Sequence, residues 1–383
     1  MTSNLRHSAG SLLVVGLAGT ELTGLERAWL KLVRPGGVIL FRRNIIDARQ
    51  TRLLLDKATA LCRAHSFRCV DVEGGSVDRL RDALASMPSA QVVGAAMGSS
   101  THSQKARKDG APGNLRLACE HGELIARAVK AFGFNTTLAP VLDLALPDSA
   151  HVMGSRAASS TVAGVVDYAR SFLAGLAAHG VVGCGKHFPG LGGGTLDSHH
   201  ETPSIHRSMR AMNHEDLAPY RELRNALPMV MVNHAAYPET PSGMRPASTS
   251  PYWISTVLRK RIGYRGIIFS DDLEMGGILK FLPIEEASIA AIRAGMDLLE
   301  ICHSPELILR VYESLIAEAE RSIAFRELLL RRAQQTSLKQ TKLFAGKAST
   351  ALSAKQFEAL RARILRFNEV IAGAQHTTEA EQA

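Results

Sequence analysis

Eight short apolar runs recur along this sequence at helix-length or longer intervals, and that alternation constrains the fold more than any other feature. The runs are Leu12–Gly16, Gly37–Phe41, Phe67–Asp71, Thr137–Val141, Val181–Gly185, Met229–Asn233, Gly266–Ser270 and Leu298–Cys302. Between many of them lie stretches with apolar residues on one helical face, such as Gln50–Ala64, Leu115–Phe132, Val162–Ala178, Asp216–Leu227 and Ile284–Ala294. A short apolar run bounded by turn residues reads as a strand buried on both faces. A helix between two strands returns the chain across the sheet, so consecutive strands can pair in parallel. Eight such units predict an α/β fold closed into a (β/α)8 TIM-like barrel, with an open doubly wound sheet as the alternative. The 383 residues accommodate such a barrel, which takes about 250 residues or more.

Composition narrows the class. Hydrophobic residues make up 46% of the chain, enough for a large core. No apolar run approaches the ~20 residues of a membrane span. The run Leu12–Ala18 behind Arg6 reads as a buried first strand rather than a signal peptide, because it is brief and amphipathic sequence follows. Five scattered cysteines form neither a CxxC pair nor a disulfide framework, which fits reduced thiols in a cytoplasmic protein. The net charge is +9, with basic clusters at Lys105, Arg107 and Lys108 and from Arg321 to Lys347. No aromatic ladder or nucleic-acid motif accompanies them, so they read as solvated helix surface. Gly98–Gly113 reads as a loop insertion. Residues 8–345 are assigned to the catalytic barrel, and residues 346–383 to a C-terminal helix (Ala354–Ala372) with a disordered polar tail from His376.

Ionisable residues stand at the ends of the apolar runs. Asp71, Lys186 with His187, His234 and Asp271 would all open onto the C-terminal mouth of a barrel, where active sites sit. Asp271 can serve as nucleophile, metal ligand or helix cap, while Asp272 and Glu274 suit a cap or first turn. Gly180 to Lys186 matches the spacing of a phosphate loop, but His187 stands where a Ser or Thr would hold magnesium, so nucleotide binding is rejected. His187, His199, His200, Glu201 and His206 lack ligand spacing for zinc, and no metal or other cofactor is assigned. Asp197-Ser198-His199 follows glycines 190, 192, 193 and 194. A carboxylate beside an imidazole favours its protonated form, so the pair can supply a general acid on a mobile loop or form an ordinary turn.

Together these segments resemble glycoside hydrolase family 3, in particular its single-domain bacterial β-N-acetylglucosaminidases. The resemblance runs from about Leu12 to His303 and rests on motifs in order: Gly37 to Phe41 with Arg43-Asn44, Val70 to Gly75, Leu138 to Asp143, Lys186 to Gly190, Asp197 to His199, Phe269 to Leu273 and Ala294 to Asp297. It implies Asp271 as nucleophile, His199 as general acid/base and Asp197 as its partner. It also implies Asp71, Arg79, Arg156, Lys186 and His187 as the residues holding sugar hydroxyls. The substrate implied is a GlcNAc-containing carbohydrate from peptidoglycan turnover, with the related β-glucosidase specificity, a metal-dependent hydrolase and a silent glycan-binding protein as alternatives. No nucleic acid or membrane partner is expected, and a monomer is assumed. A histidine acid departs from the usual retaining pair of carboxyl groups about 5–5.5 Å apart. The short region after Cys302 leaves no room for a second α/β domain that would supply a glutamate acid. Ser76, Leu191 and Ala157-Ala158 depart from the family pattern at positions affecting aglycone preference and pocket contacts.

Overall fold

A computed structural model describes residues 2–99, 115–193, 203–346 and 351–382. Every expected run forms a strand: β1 Leu13–Gly16, β2 Gly37–Leu40, β3 Phe67–Val70, β4 Thr136–Thr137, β5 Val182–Phe188, β6 Met229–Val232, β7 Ile267–Asp272 and β8 Leu298–Ile301. Each strand pairs in parallel with its neighbours in sequence, and β8 pairs back onto β1. The sheet is a closed barrel without edges, which rules out the open alternative.

Strand alternation divides the core into two layers. Val14, Ile39, Cys69, Cys184, Met231, Phe269 and Leu298 fill the barrel interior, whereas Leu13, Val15, Val38, Ile268, Leu299 and Ile301 face the helical shell. A fully buried side chain of this size contributes roughly 1.5–3 kcal/mol. Helix Val162–Ala178 starts at Thr161, whose hydroxyl accepts the Gly164 N–H, and buries Val165, Tyr168, Phe172 and Leu176. It lies close against helix Leu115–Ala131. A Cβ on Gly122 would sit 2.2 Å from the Phe172 carbonyl oxygen, so only glycine permits that approach.

The N-terminal end of the barrel is closed by helix Ile323–Phe344. Its Phe344 meets Phe67 edge-on at 5.0 Å. Beside it, Asp297 at the foot of β8 receives Arg259 at 2.6 Å, Lys339 at 3.1 Å and Arg332 at 3.4 Å. Burial alone would raise this carboxyl, but those cations outweigh it and hold it low. Asp297 therefore anchors the end of the barrel opposite the mouth.

Several boundaries differ from expectation. β4 stops at Thr137 rather than Val141, and Pro140, which has no N–H, lies within the expected run. β5 extends through Phe188, which places Lys186 and His187 inside the strand. A helix at Thr2–Gly10 and a hairpin of Val72–Gly74 with Val77–Asp78 were not anticipated. The C-terminal helix runs from Ala354 to Gln382, past its expected end at Ala372. That helix lies on helices Ala90–Ser99 and Leu115–Ala131 and buries Leu360, Ile364, Phe367 and Ile371. Most of the expected Gly98–Gly113 loop falls outside the described residues. Among the described residues, no helix is long and apolar enough to cross a membrane.

Candidate active site

One wall of the mouth is a continuous chain of ion pairs. Asp71 follows β3, and the hairpin then brings Glu73 and Arg79 back beside it. Lys186 reaches across from β5 to Asp71 Oδ1 at 2.9 Å and Glu73 Oε1 at 2.6 Å. Arg156 clamps Glu73 through two parallel bonds of 2.8 Å each. Burial would raise Asp71, yet Lys186 and Arg79 hold it below its ordinary value. The same opposition, with Arg156 and Lys186 prevailing, depresses Glu73 strongly. Burial opposes charge on Lys186, but Asp71 and Glu73 reverse that and fix the ammonium. Arg79 stands 3.8 Å from Asp71, and its buried Nε has no hydrogen-bond partner among the described residues.

The chain continues through His187. Arg156 donates to His187 Nε2 at 3.1 Å, and His187 Nδ1 lies 2.7 Å from Asp143 Oδ2. A guanidinium can only donate, so Nε2 accepts and Nδ1 carries the proton toward Asp143. Asp143 also accepts the backbone N–H of His187 at 3.1 Å and of Leu191 at 2.7 Å. One buried carboxylate therefore fixes the imidazole and the start of the following loop.

The opposite wall is β7. Asp271 is partly exposed at the strand end, where its Oδ1 accepts the Asp272 N–H at 3.0 Å. No Lys or Arg pairs with it among the described residues. His234, at the end of β6, donates from Nε2 to the Asp272 carbonyl at 3.0 Å and accepts from Ser248 at Nδ1, 2.7 Å away. Burial lowers this imidazole, so it is a neutral strut for the turn that carries Asp271. Burial pushes the Asp272 carboxyl up to about 7, with help from Glu274 and Asp271. Glu300, deep on β8, is raised well above the usual range by burial and by Asp272, Asp71 and Asp271.

Beyond β5 the loop starts at a tight point. Gly190 has φ of 133°, and a Cβ there would lie 2.6 Å from that of Asp216. Asp216 pairs with Arg207 at 2.9 Å, and burial lifts its carboxyl to about 6. The expected acid pair, Asp197 and His199, lies outside the described residues, as do His200 and Glu201. His206 is exposed at the surface. The structure thus brings together Asp71, Arg79, Arg156, Lys186 and His187, with Asp271 on the facing wall. Sequence reasoning missed Glu73 and Asp143 as members of this site. Both follow strand runs inside the motifs that carry the family resemblance, and that position was the available signal.

A closed parallel barrel whose mouth gathers carboxylates, cations and histidines has the architecture of a (β/α)8 enzyme. Residues 5–329 match the model of the glycosyl hydrolase family 3 N terminal domain. A beta-hexosaminidase of Alkalilimnicola ehrlichii is 38% identical over 79% of this chain and 84% of its own length. One from Stenotrophomonas maltophilia is 35% identical over 83% of this chain and 90% of its own. Among solved structures, NagZ from Neisseria gonorrhoeae in complex with N-trifluoroacetyl-D-glucosamine superposes with a TM-score of 0.75 at 30% identity, covering 93% of this chain and 97% of that one. A β-N-acetylglucosaminidase from Paenibacillus gives 0.80 at 29% identity, covering 94% and 68%. The chain belongs to glycoside hydrolase family 3.

Proposed function

We propose that this protein is a retaining exo-β-N-acetylglucosaminidase acting on terminal β-linked GlcNAc. The observation that carries the reading is the asymmetry of the mouth: a cation-rich wall of Lys186, Arg156 and Arg79 faces an Asp271 with no cationic partner among the described residues. The paired wall offers charged hydrogen-bonding groups fixed in place, suited to sugar hydroxyls. Asp71, Arg79, Arg156, Lys186 and His187 take that role. Asp271 attacks the anomeric carbon, so a bond to its carboxylate forms as the glycosidic C–O bond breaks. His199, held protonated by Asp197, gives its proton to the leaving oxygen and later takes one from the water that releases the sugar. The β-hexosaminidase relatives support the sugar preference.

Residues 8–345 form the catalytic unit, with residues 346–383 as an extension. The natural substrate is a GlcNAc-containing fragment of peptidoglycan turnover, and the enzyme acts as a cytoplasmic monomer. An aryl β-GlcNAc substrate tests the assignment. Asp271→Ala should lower kcat/KM by at least about 10³-fold, as expected for loss of a nucleophile, and His199→Ala should also lower it. A 2-fluoro sugar should label Asp271; near wild-type rates in Asp271→Ala, or labelling elsewhere, would refute the mechanism. Faster turnover of the aryl β-glucoside than of the GlcNAc substrate would assign the protein to the glucosidases instead.

A further inference from the structure

We propose that Asn4, His7, Arg34 and Arg63 form a binding site for a phosphate oxyanion, at the end of the barrel opposite the mouth. The four side chains line a cavity of about 210 Å³. His7 lies in the last turn of helix Thr2–Gly10, ahead of β1. Arg34 follows helix Gly24–Val33, ahead of β2, and Arg63 follows helix Ala48–Thr59, ahead of β3. Each stands where the chain is about to enter a strand. Three successive units of the barrel therefore bring their basic side chains to one place.

The chemistry of the lining selects an anion. All four side chains offer nitrogen donors, the two guanidiniums can only donate, and the lining holds no Asp or Glu. No carboxylate pairs with His7, Arg34 or Arg63 among the described residues. The contacts they do make engage other groups: Arg34 Nη1 donates to His7 Nε2 at 3.4 Å, and Arg63 Nη2 donates to Ser337 Oγ at 3.3 Å. Burial, and then the neighbouring Arg34 charge, lower the Arg63 guanidinium. Folding thus holds two like charges together without a counter-charge. A phosphate between them would supply it, and the guanidinium fork matches phosphate oxygens two at a time.

The backbone of Arg34 is an independent sign. It caps helix Gly24–Val33 in the left-handed region, with φ of 52° and ψ of 60°, and its N–H returns to the Leu30 carbonyl at 2.8 Å. Glycine adopts that conformation without steric cost and is the usual residue there, whereas a branched-out side chain is disfavoured. Such outliers gather at ligand clamps, and the residue that bears this one lines the cavity. Cations at helix C-termini are favoured by the macrodipole, which accounts for His7 or Arg34 taken singly. It does not account for their meeting Arg63, which lies beyond its own helix, in a cavity without an acid.

Calorimetric titration of the full chain with sodium phosphate at fixed ionic strength tests the assignment. One equivalent should bind to wild type. Arg34→Gly keeps the left-handed cap and removes only the side chain. It should weaken binding by about tenfold or more, while melting no lower than wild type in phosphate-free buffer. Arg63→Gln should weaken binding to a similar degree, with circular dichroism as the check on its fold. Arg245→Gln, a change at an exposed arginine on the loop after β6, should bind as wild type does. That control separates the cavity from the general attraction of anions to a chain of net charge +9. Phenyl phosphate identifies the source of the oxyanion: binding as tight as that of inorganic phosphate assigns the site to phosphate monoesters, and weaker binding assigns it to the free ion. The proposal fails if wild type binds no phosphate, if either Arg34→Gly or Arg63→Gln binds undiminished, or if Arg245→Gln weakens binding as much as they do.

Discussion

Glu73 is the residue on which the cationic wall converges, because both Lys186 and Arg156 close on it in a buried setting. Removing its charge leaves two buried cations short of a partner, a class of change that costs about 3–5 kcal/mol. Glu73→Gln should therefore lower the unfolding free energy from urea denaturation at pH 7 by an amount in that range. Asp71 and Glu73 both titrate below their ordinary values in the folded state. Their stabilisation is fully present above the unfolded carboxylate range near pH 4 and is lost as pH falls through the folded values. The variant's penalty should consequently shrink below about pH 4, measured as the gap between the two melting temperatures across pH. Asp143 works through position instead. Asp143→Ala frees the His187 ring and the start of the loop together, and a displacement of about 1 Å at a substrate-holding group can cost about 10²-fold. A fall of that order in kcat/KM on aryl β-GlcNAc is expected, with circular dichroism unchanged.

At the scale of elements, the C-terminal helix contributes stability at a distance from the chemistry. Leu360, Ile364, Phe367 and Ile371 form a stripe at helical spacing, and Phe367 stacks 6.0 Å from His121. Phe367→Ala should cost about 3–5 kcal/mol of unfolding free energy while kcat on the aryl substrate stays near wild type; urea denaturation and a rate assay check the two halves. The elements that sequence reading found are those with strong periodicity, as in Val162–Ala178 and Ile284–Ala294, whose bounds match. It missed Thr2–Gly10, a mostly polar segment, and the Val72–Asp78 hairpin, whose strands of three and two residues are too short to show alternation. The C-terminal helix outran its apolar stripe, because residues that favour helix can carry one beyond the periodic segment.

For the whole molecule, the two ends of the barrel divide the work. The end closed by Phe344 carries the Asp297 cluster, and the mouth carries the Asp71–Glu73–Asp143 network. That division was half legible. Strand-end ionisable residues indicated where the mouth lies, since a parallel barrel sends all of them to one rim. The roles of Glu73 and Asp143 were not legible, because only tertiary pairing distinguishes a carboxylate that holds its neighbours from one at the surface. Asp297 shows the converse: it belongs to a family motif yet acts at the far end of the barrel. The loop departing at Leu191 is tied to the barrel through its peptide N–H as well as through a side chain buried in the core. Leu191→Met should leave kcat/KM nearly unchanged, whereas Leu191→Pro, lacking that N–H, should depress it sharply; steady-state kinetics of the two variants checks this. The backbone half of that tether survives any residue but proline, so packing alone decides which side chains this position admits. Apolar side chains of similar volume can exchange here without unfastening the start of the loop.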